Sequence, residues 1–264
     1  MPDTELISSI AKTMHDRLKQ KSVQVRNAFF DVNQRDPDDS HDCDVPPVTQ
    51  LLQNRSKNGL DLKLELTYLW IGGSAHKDRV TGQAHTIHID DTDMAHLVGL
   101  DKPQSQGKRV IAGSRSRLER LGLISVERPK GKAVTVTLRN ESGNGEPYTR
   151  PGAPGEKQGK YTSIPREFWT NLWHLKLDGK ALAALLVIRH LSEMQGGGVW
   201  RSPKERLDRY GFSDDVWYAG INQLLEDELI AKQKILVKEW FKPAPRHYRD
   251  TYTLRADRML SSRP

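Results

Sequence analysis

Two stretches of this chain carry the same pattern, and each reads as the end of a helix running into a strand. Arg117-Leu118-Glu119-Arg120-Leu121-Gly122-Leu123-Ile124 is the first; Asn222-Gln223-Leu224-Leu225-Glu226-Asp227-Glu228-Leu229-Ile230 is the second. A pattern that returns at long range predicts a repeated structural unit. It limits the folds open to the chain more than any single motif does. After each Leu-Ile, residues alternate apolar and polar, turn, and alternate again, which predicts a two-stranded hairpin behind two helices. With 264 residues the chain has room for two such units.

Residues 1–45 are polar. Leu6, Ile7, Ile10, Met14 and Leu18 fall at helical spacing and predict a short amphipathic helix. The run Asp36-Pro37-Asp38-Asp39-Ser40-His41-Asp42-Cys43-Asp44 predicts an acidic loop or disordered stretch. Residues 46–140 form the first unit. Within it, residues 60–70 fit two periods. Their apolar members alternate, yet Leu62, Leu66, Leu69 and Trp70 also form a helical stripe, and helix is favoured because the second unit has one in the matching place. Thr86-Ile87-His88-Ile89 is a short strand. Asp90 or Asp91 caps a helix holding Met94, Leu97 and Val98. A turn over 99–106 leads to a longer helix from about Gly107 to Leu121, with Val110, Ile111, Leu118 and Leu121 inward. Ile124 and Val126, then Val134, Val136 and Leu138, make a hairpin around Pro129-Lys130-Gly131-Lys132.

Residues 141–159 are rich in Gly, Pro, Ser and charge and predict a flexible linker, with a root-mean-square reach of about 25 Å. The second unit spans 160–257. Ile164, Pro165, Phe168, Trp169, Leu172 and Trp173 suggest an apolar entry helix, and residues 178–192 a helix apolar nearly all round, hence central. Val199-Trp200-Arg201 is a short strand. Ser202 with Pro203 starts a helix that ends at Gly211, and Ser213 caps the next. A hairpin from Ile230 closes the unit, leaving a tail over 258–264.

The net charge of +7 favours an anionic partner. No run of eighteen apolar residues spans a bilayer, and the first residues lack the pattern of a secretory signal, so a cytoplasmic, nucleoid-associated protein is expected. A single cysteine, Cys43, excludes an internal disulfide. His85, His88 and His96 lie near Asp90, Asp91 and Asp93, but without the closed spacing of a zinc site. No phosphate-binding loop or dinucleotide turn occurs. Neither an enzyme nor a cofactor is expected.

Double-stranded DNA is the expected partner, since it needs cations for phosphates and a few donors for base edges. On the long helix of the first unit the candidates are Lys108, Arg109, Ser114, Arg115 and Arg117, which lie off the apolar stripe and should face out. Arg109 and Arg115 are the expected base readers. Arg128, Lys130 and Lys132 lie around the hairpin tip. In the second unit the candidates are Lys204 and Arg206 on the first helix and Lys238, Lys242, Arg246 and Arg249 on the hairpin. The following helix there opens Ser213-Asp214-Asp215, and carboxylates oppose phosphate. Trp217 and Tyr218 on that helix are open to two readings, a self-association face that would make a homodimer or members of the core.

The segment RLERLGLISVERPKGKAVTVTL is similar to winged-helix regulators, in which such a helix end leads into a basic wing. Two such units on one chain also resemble plasmid replication initiators. The resemblance covers about 46–140 and 160–257. It implies an α+β, mostly helical chain with two winged-helix domains, each of three or more helices and a small antiparallel sheet. It further implies that the helix with Lys108, Arg109, Arg115 and Arg117 reads the groove, with the helix near Trp217 and Asn222 as its counterpart. The function expected is sequence-specific DNA binding, most simply transcriptional regulation. A replication initiator or partition protein, and a protein-interaction adaptor, are the alternatives.

Overall fold

The computed structural model describes residues 3–18, 21–35, 45–53, 57–73, 85–128, 130, 134–152, 160–195, 198–237 and 247–261. Among them the fold is α+β and mostly helical, with three small antiparallel sheets. The N-terminal elements are α1 (Thr4–Leu18), β1 (Ser22–Arg26) and α2 (Pro47–Gln53). The first half continues with α3 (Leu60–Gly72), β2 (Thr86–His88), α4 (Asp91–Leu97), α5 (Pro103–Arg120), β3 (Ile124–Glu127) and β4 (Thr135–Leu138). The second half holds β5 (Tyr161–Pro165), α6 (Glu167–Thr170), α7 (Trp173–Lys176), α8 (Gly179–Gln195), α9 (Pro203–Tyr210), α10 (Asp214–Glu226), β6 (Ile230–Val237), β7 (His247–Leu254) and α11 (Ala256–Ser261). None of these helices is long and apolar enough to cross a membrane.

The halves follow one order. After α3 come β2, α4, α5 and the hairpin β3–β4, and β2 pairs with β4, so the strand order is β2-β4-β3. After α8 come Val199, α9, α10 and the hairpin β6–β7, and Val199 bridges to Tyr252 of β7. A single bridge thus stands where the first half has a strand.

Local chemistry sets most of the boundaries. The Asp90 carboxylate accepts from the Thr92 amide and starts α4. Ser202 and Glu205 form a reciprocal capping box on α9, Pro203 fills its first turn, and Gly211 ends it in the left-handed region at φ 67°. Ser213 caps α10. α5 begins at Pro103, four residues ahead of the expected Gly107, because a proline loses nothing in a first turn whose N–H groups have no helical partner.

Residues 60–70 are helical, and their double periodicity has a physical cause. α3 is enclosed on all sides, so even Asp61, Lys63, Glu65 and Thr67 are buried. A helix without a solvent face has no need of one apolar stripe. α8 is its counterpart, nearly all apolar and buried. The two start against each other: a Cβ on Gly59, just before α3, would lie 2.2 Å from Gly179 Cα at the start of α8. Only glycine at both places allows that approach.

Three expectations are corrected. The composition of 141–159 suggests a linker, but its first part is anchored: Asn140, Glu141, Ser142 and Tyr148 are buried, and Asn140 closes a turn on Glu146, while 145–147 and 149–150 are exposed. Residues 153–159 lie outside the described residues. Second, the single entry helix expected over Ile164 to Trp173 is two short helices, α6 and α7, and its first residues, Ile164 and Pro165, belong to the strand Tyr161–Pro165. That strand pairs with β1 from Ser22↔Pro165 to Arg26↔Tyr161, so the polar N-terminal segment belongs to the core. Third, part of the tail is helix α11, with Met259 buried. The helix expected near residues 6–18 is α1, which buries Ile7 and Ala11. The acidic run 36–44 lies outside the described residues.

The apolar core is continuous through both halves. Trp70 of α3 stacks on Trp169 of α6 at 5.3 Å. The His174 ring on α7 sits 2.8 Å from the Leu97 carbonyl of α4. Arg209 of α9 pairs with Asp31 of the N-terminal segment, which is fully buried.

Candidate nucleic-acid interface

α5 lies across α4 and α3 with two kinds of polar residue on it. The inner kind ties the helix down. Ser114 is buried and donates to the Asp61 carboxylate of α3. Arg117 grips the same carboxylate through Nε (2.6 Å) and Nη2 (2.7 Å). Arg115, only 4% exposed, makes two hydrogen bonds to Asp91 at the start of α4, the longer of 2.9 Å. Gly107 lets α4 approach, since a Cβ there would lie 2.7 Å from that of Ala95.

The expectation that Ser114, Arg115 and Arg117 face outward is therefore corrected. Ser114 and Arg115 are internal, and Arg117 is committed to Asp61 at the helix edge. Carboxylates on the neighbouring helices draw them in, the fully buried Asp61 most of all, because an ionised carboxylate away from water needs a charged partner.

The outer kind faces solvent. Ser105, Lys108, Arg109, Ala112, Ser116 and Arg120 are exposed. Ser105, Arg109, Ala112, Ser116 and Arg120 recur at helical spacing and form one stripe. Arg109 and Arg120 have no hydrogen-bond or ion-pair partner among the described residues, and stand about 16 Å apart along the axis. The residues between them are small, so a surface could approach the backbone closely. Lys108 adds charge beside Asp90, whose carboxyl lies below its usual range chiefly through the Thr92 hydrogen bonds and lastly through Lys108. Beyond the helix, Arg128 leans on Glu119 at 3.0 Å but stays half exposed, and Lys130 is exposed. Lys132 lies outside the described residues.

Arg120 is absent from the expected set. Its signal is its position eleven residues after Arg109, three helical turns on the same face. It was hidden inside the recurring Leu-Gly-Leu-Ile pattern, which reads as packing.

The second half presents a different surface. Arg206 is buried, pairs with Asp214, and lies over the rings of Trp217 and Tyr218 at 5.4 and 5.1 Å. It holds α9 to α10 and is not displayed. Trp217 is core, while Tyr218 is 48% exposed. The open face of α10 carries Asp214, Asp215, Tyr218, Asn222 and Glu226, so it is acidic. On the hairpin, Arg249 covers the Trp200 ring at 4.1 Å and Lys232 pairs with Asp250 at 2.7 Å. Lys204 is exposed on α9. Lys238, Lys242 and Arg246 lie outside the described residues.

The histidines considered as metal ligands have other partners. His85 is 2.8 Å from the Gly72 carbonyl and edges onto Tyr148, and His88 lies 3.4 Å from the Thr135 hydroxyl. The chain matches no protein-family model, and no curated protein or solved structure is significantly similar to it.

Proposed function

We propose that each half is a winged helix and that the chain binds double-stranded DNA through the first. The observation that carries this is the solvent stripe of α5: Arg109 and Arg120, unpaired among the described residues, flank small side chains, and exposed Lys130 stands on the adjoining hairpin. The repeated order of helix, strand contact, two helices and hairpin supports the winged-helix reading. In this arrangement α5 enters the major groove, Arg109 reads a base edge, and Lys108, Arg120 and Lys130 meet phosphates. Arg115 and Arg117 position the helix from behind. The acidic face of α10 opposes a phosphate backbone and suits a protein contact. A transcriptional regulator is the simplest role, and a replication initiator would use the same surfaces.

The test is fluorescence anisotropy with selected and random duplexes across a salt series. Affinity of the wild type should fall steeply with salt. Arg120→Ala combined with Lys130→Ala should weaken binding to both duplexes and lower the log–log salt slope by about 2. Arg109→Ala should cost about 1–3 kcal/mol on the selected duplex and far less on the random one. A wild-type affinity indifferent to salt would end the proposal.

A further inference from the structure

A cleft of about 550 Å³ runs along the side of α5 away from its solvent stripe, a size suited to a small molecule. Its floor is apolar, formed by Leu60, Val98, Leu100, Val110 and Leu175. Its polar wall holds three cations, Lys63, Lys102 and Arg117, beside Asn58, Gln106 and Asp101. Lys63 of α3 lines it while 94% buried, and its ammonium makes one hydrogen bond among the described residues, to the Leu175 carbonyl at 3.1 Å. An ammonium has three donors, so two remain. Arg117 uses Nε and Nη2 on Asp61, which leaves Nη1 unbonded among the described residues. Lys102 is exposed at the rim, and Asp101 is the one carboxylate of the lining.

A lysine walled into a central helix is costly unless its charge is met. Burial lowers Lys63 to about 8, against the attraction of Asp178. An apolar residue would pack there at less cost, and among the described residues the ammonium makes a single hydrogen bond, so the position calls for a further partner. We infer that this cleft binds a small amphipathic anion, its apolar body on Leu100, Val110 and Leu175 and its carboxylate or phosphate on Lys63, with Arg117 and Lys102 nearby. Gly99 in the cleft wall faces Leu175 so closely that a Cβ there would lie 2.8 Å from its Cδ2, which brings the turn before α5 against α7 of the other half. A bound anion would sit against both. Any effect on DNA affinity rests on the preceding proposal; binding of the anion does not.

Isothermal titration without DNA tests this with octanoate, octyl phosphate and 1-octanol on the folded full chain. At least one of the two anions should bind saturably, one per chain, and more tightly than the neutral alcohol. The anion that binds better identifies a carboxylate or a phosphate ligand. Lys63→Met should weaken that anion at least tenfold. Lys102→Glu, at an exposed position, should weaken it several-fold. Absence of saturable anion binding, equal binding of the alcohol, or unchanged anion affinity in both variants would overturn the inference.

Discussion

Two arginines six residues apart on one helix do opposite work. Arg115 is buried on Asp91, and Arg109 stands in water without a partner among the described residues. Removing Arg115 leaves the Asp91 carboxylate, 16% exposed, with its charge unmet. Arg115→Ala should therefore destabilise the fold by about 2–4 kcal/mol, less than a fully buried pair because water reaches Asp91. Arg109→Ala removes no internal contact and should change stability by under about 0.5 kcal/mol while lowering DNA affinity. Urea unfolding of the two variants, set beside duplex binding, separates a positioning arginine from a contacting one. Equal stability losses would show that both are structural.

At the scale of the element, α3 is unusual in burying acid, base and hydroxyl together. Glu65 is fully buried and neither carboxyl oxygen has a hydrogen-bond partner among the described residues. Burial, and then the nearby Glu141, push its proton affinity well above the ordinary range. Glu141 is itself pushed up to about 7 by burial, against the attraction of Arg26 at 2.9 Å. Arg26 pairs with Glu141, and a proton held on Glu65 removes the repulsion between the two carboxyls. Both groups bind protons more tightly folded than unfolded. Their stabilising contribution is complete below the ordinary value near 4.5 and is lost as pH rises, for Glu141 through about 7. Glu65→Gln removes one of the two titrating groups, and with it up to about 1.4 kcal/mol per pH unit. Wild-type stability should fall more steeply than that of the variant between about pH 5 and 8. His174, lowered to about 4 by burial, works in the opposite direction in both proteins and cancels in the comparison. Parallel stability–pH curves would refute a protonated Glu65.

For the whole molecule, one core links the halves. β1 pairs with β5, Trp70 stacks on Trp169, and the two central helices touch at Gly59 and Gly179. Neither half can open without exposing the other's apolar surface, so the chain should unfold in a single transition. Urea curves by tryptophan fluorescence and by far-UV circular dichroism should coincide; two separated midpoints would mean independent halves. The burial of Glu141, Ser142 and Tyr148 also departs from the flexible role expected for that part of 141–159. A linker in that place would let each half find its own stretch of DNA, whereas packed halves present their surfaces in a set relation.

The sequence by itself determined what depends on near neighbours. Ser202 with Pro203 and Gly211 delimits α9, Asp90 starts α4, and alternation around Val126 and Val136 marks the hairpin. Caps and strand alternation act within a few residues, so a local reading reaches them. The matching order of the halves was also legible, through its two Leu-Ile signals. Only the tertiary structure decided which cations are displayed. Arg117 meets a carboxylate 56 residues away and Arg115 one 24 residues away, and Arg26 is drawn to Glu141 across 115. Helical spacing sorts residues by face, but it does not say which faces are enclosed or what charge waits behind them. That is set by partners distant in the chain, and for a buried ion the partner decides the direction of the side chain.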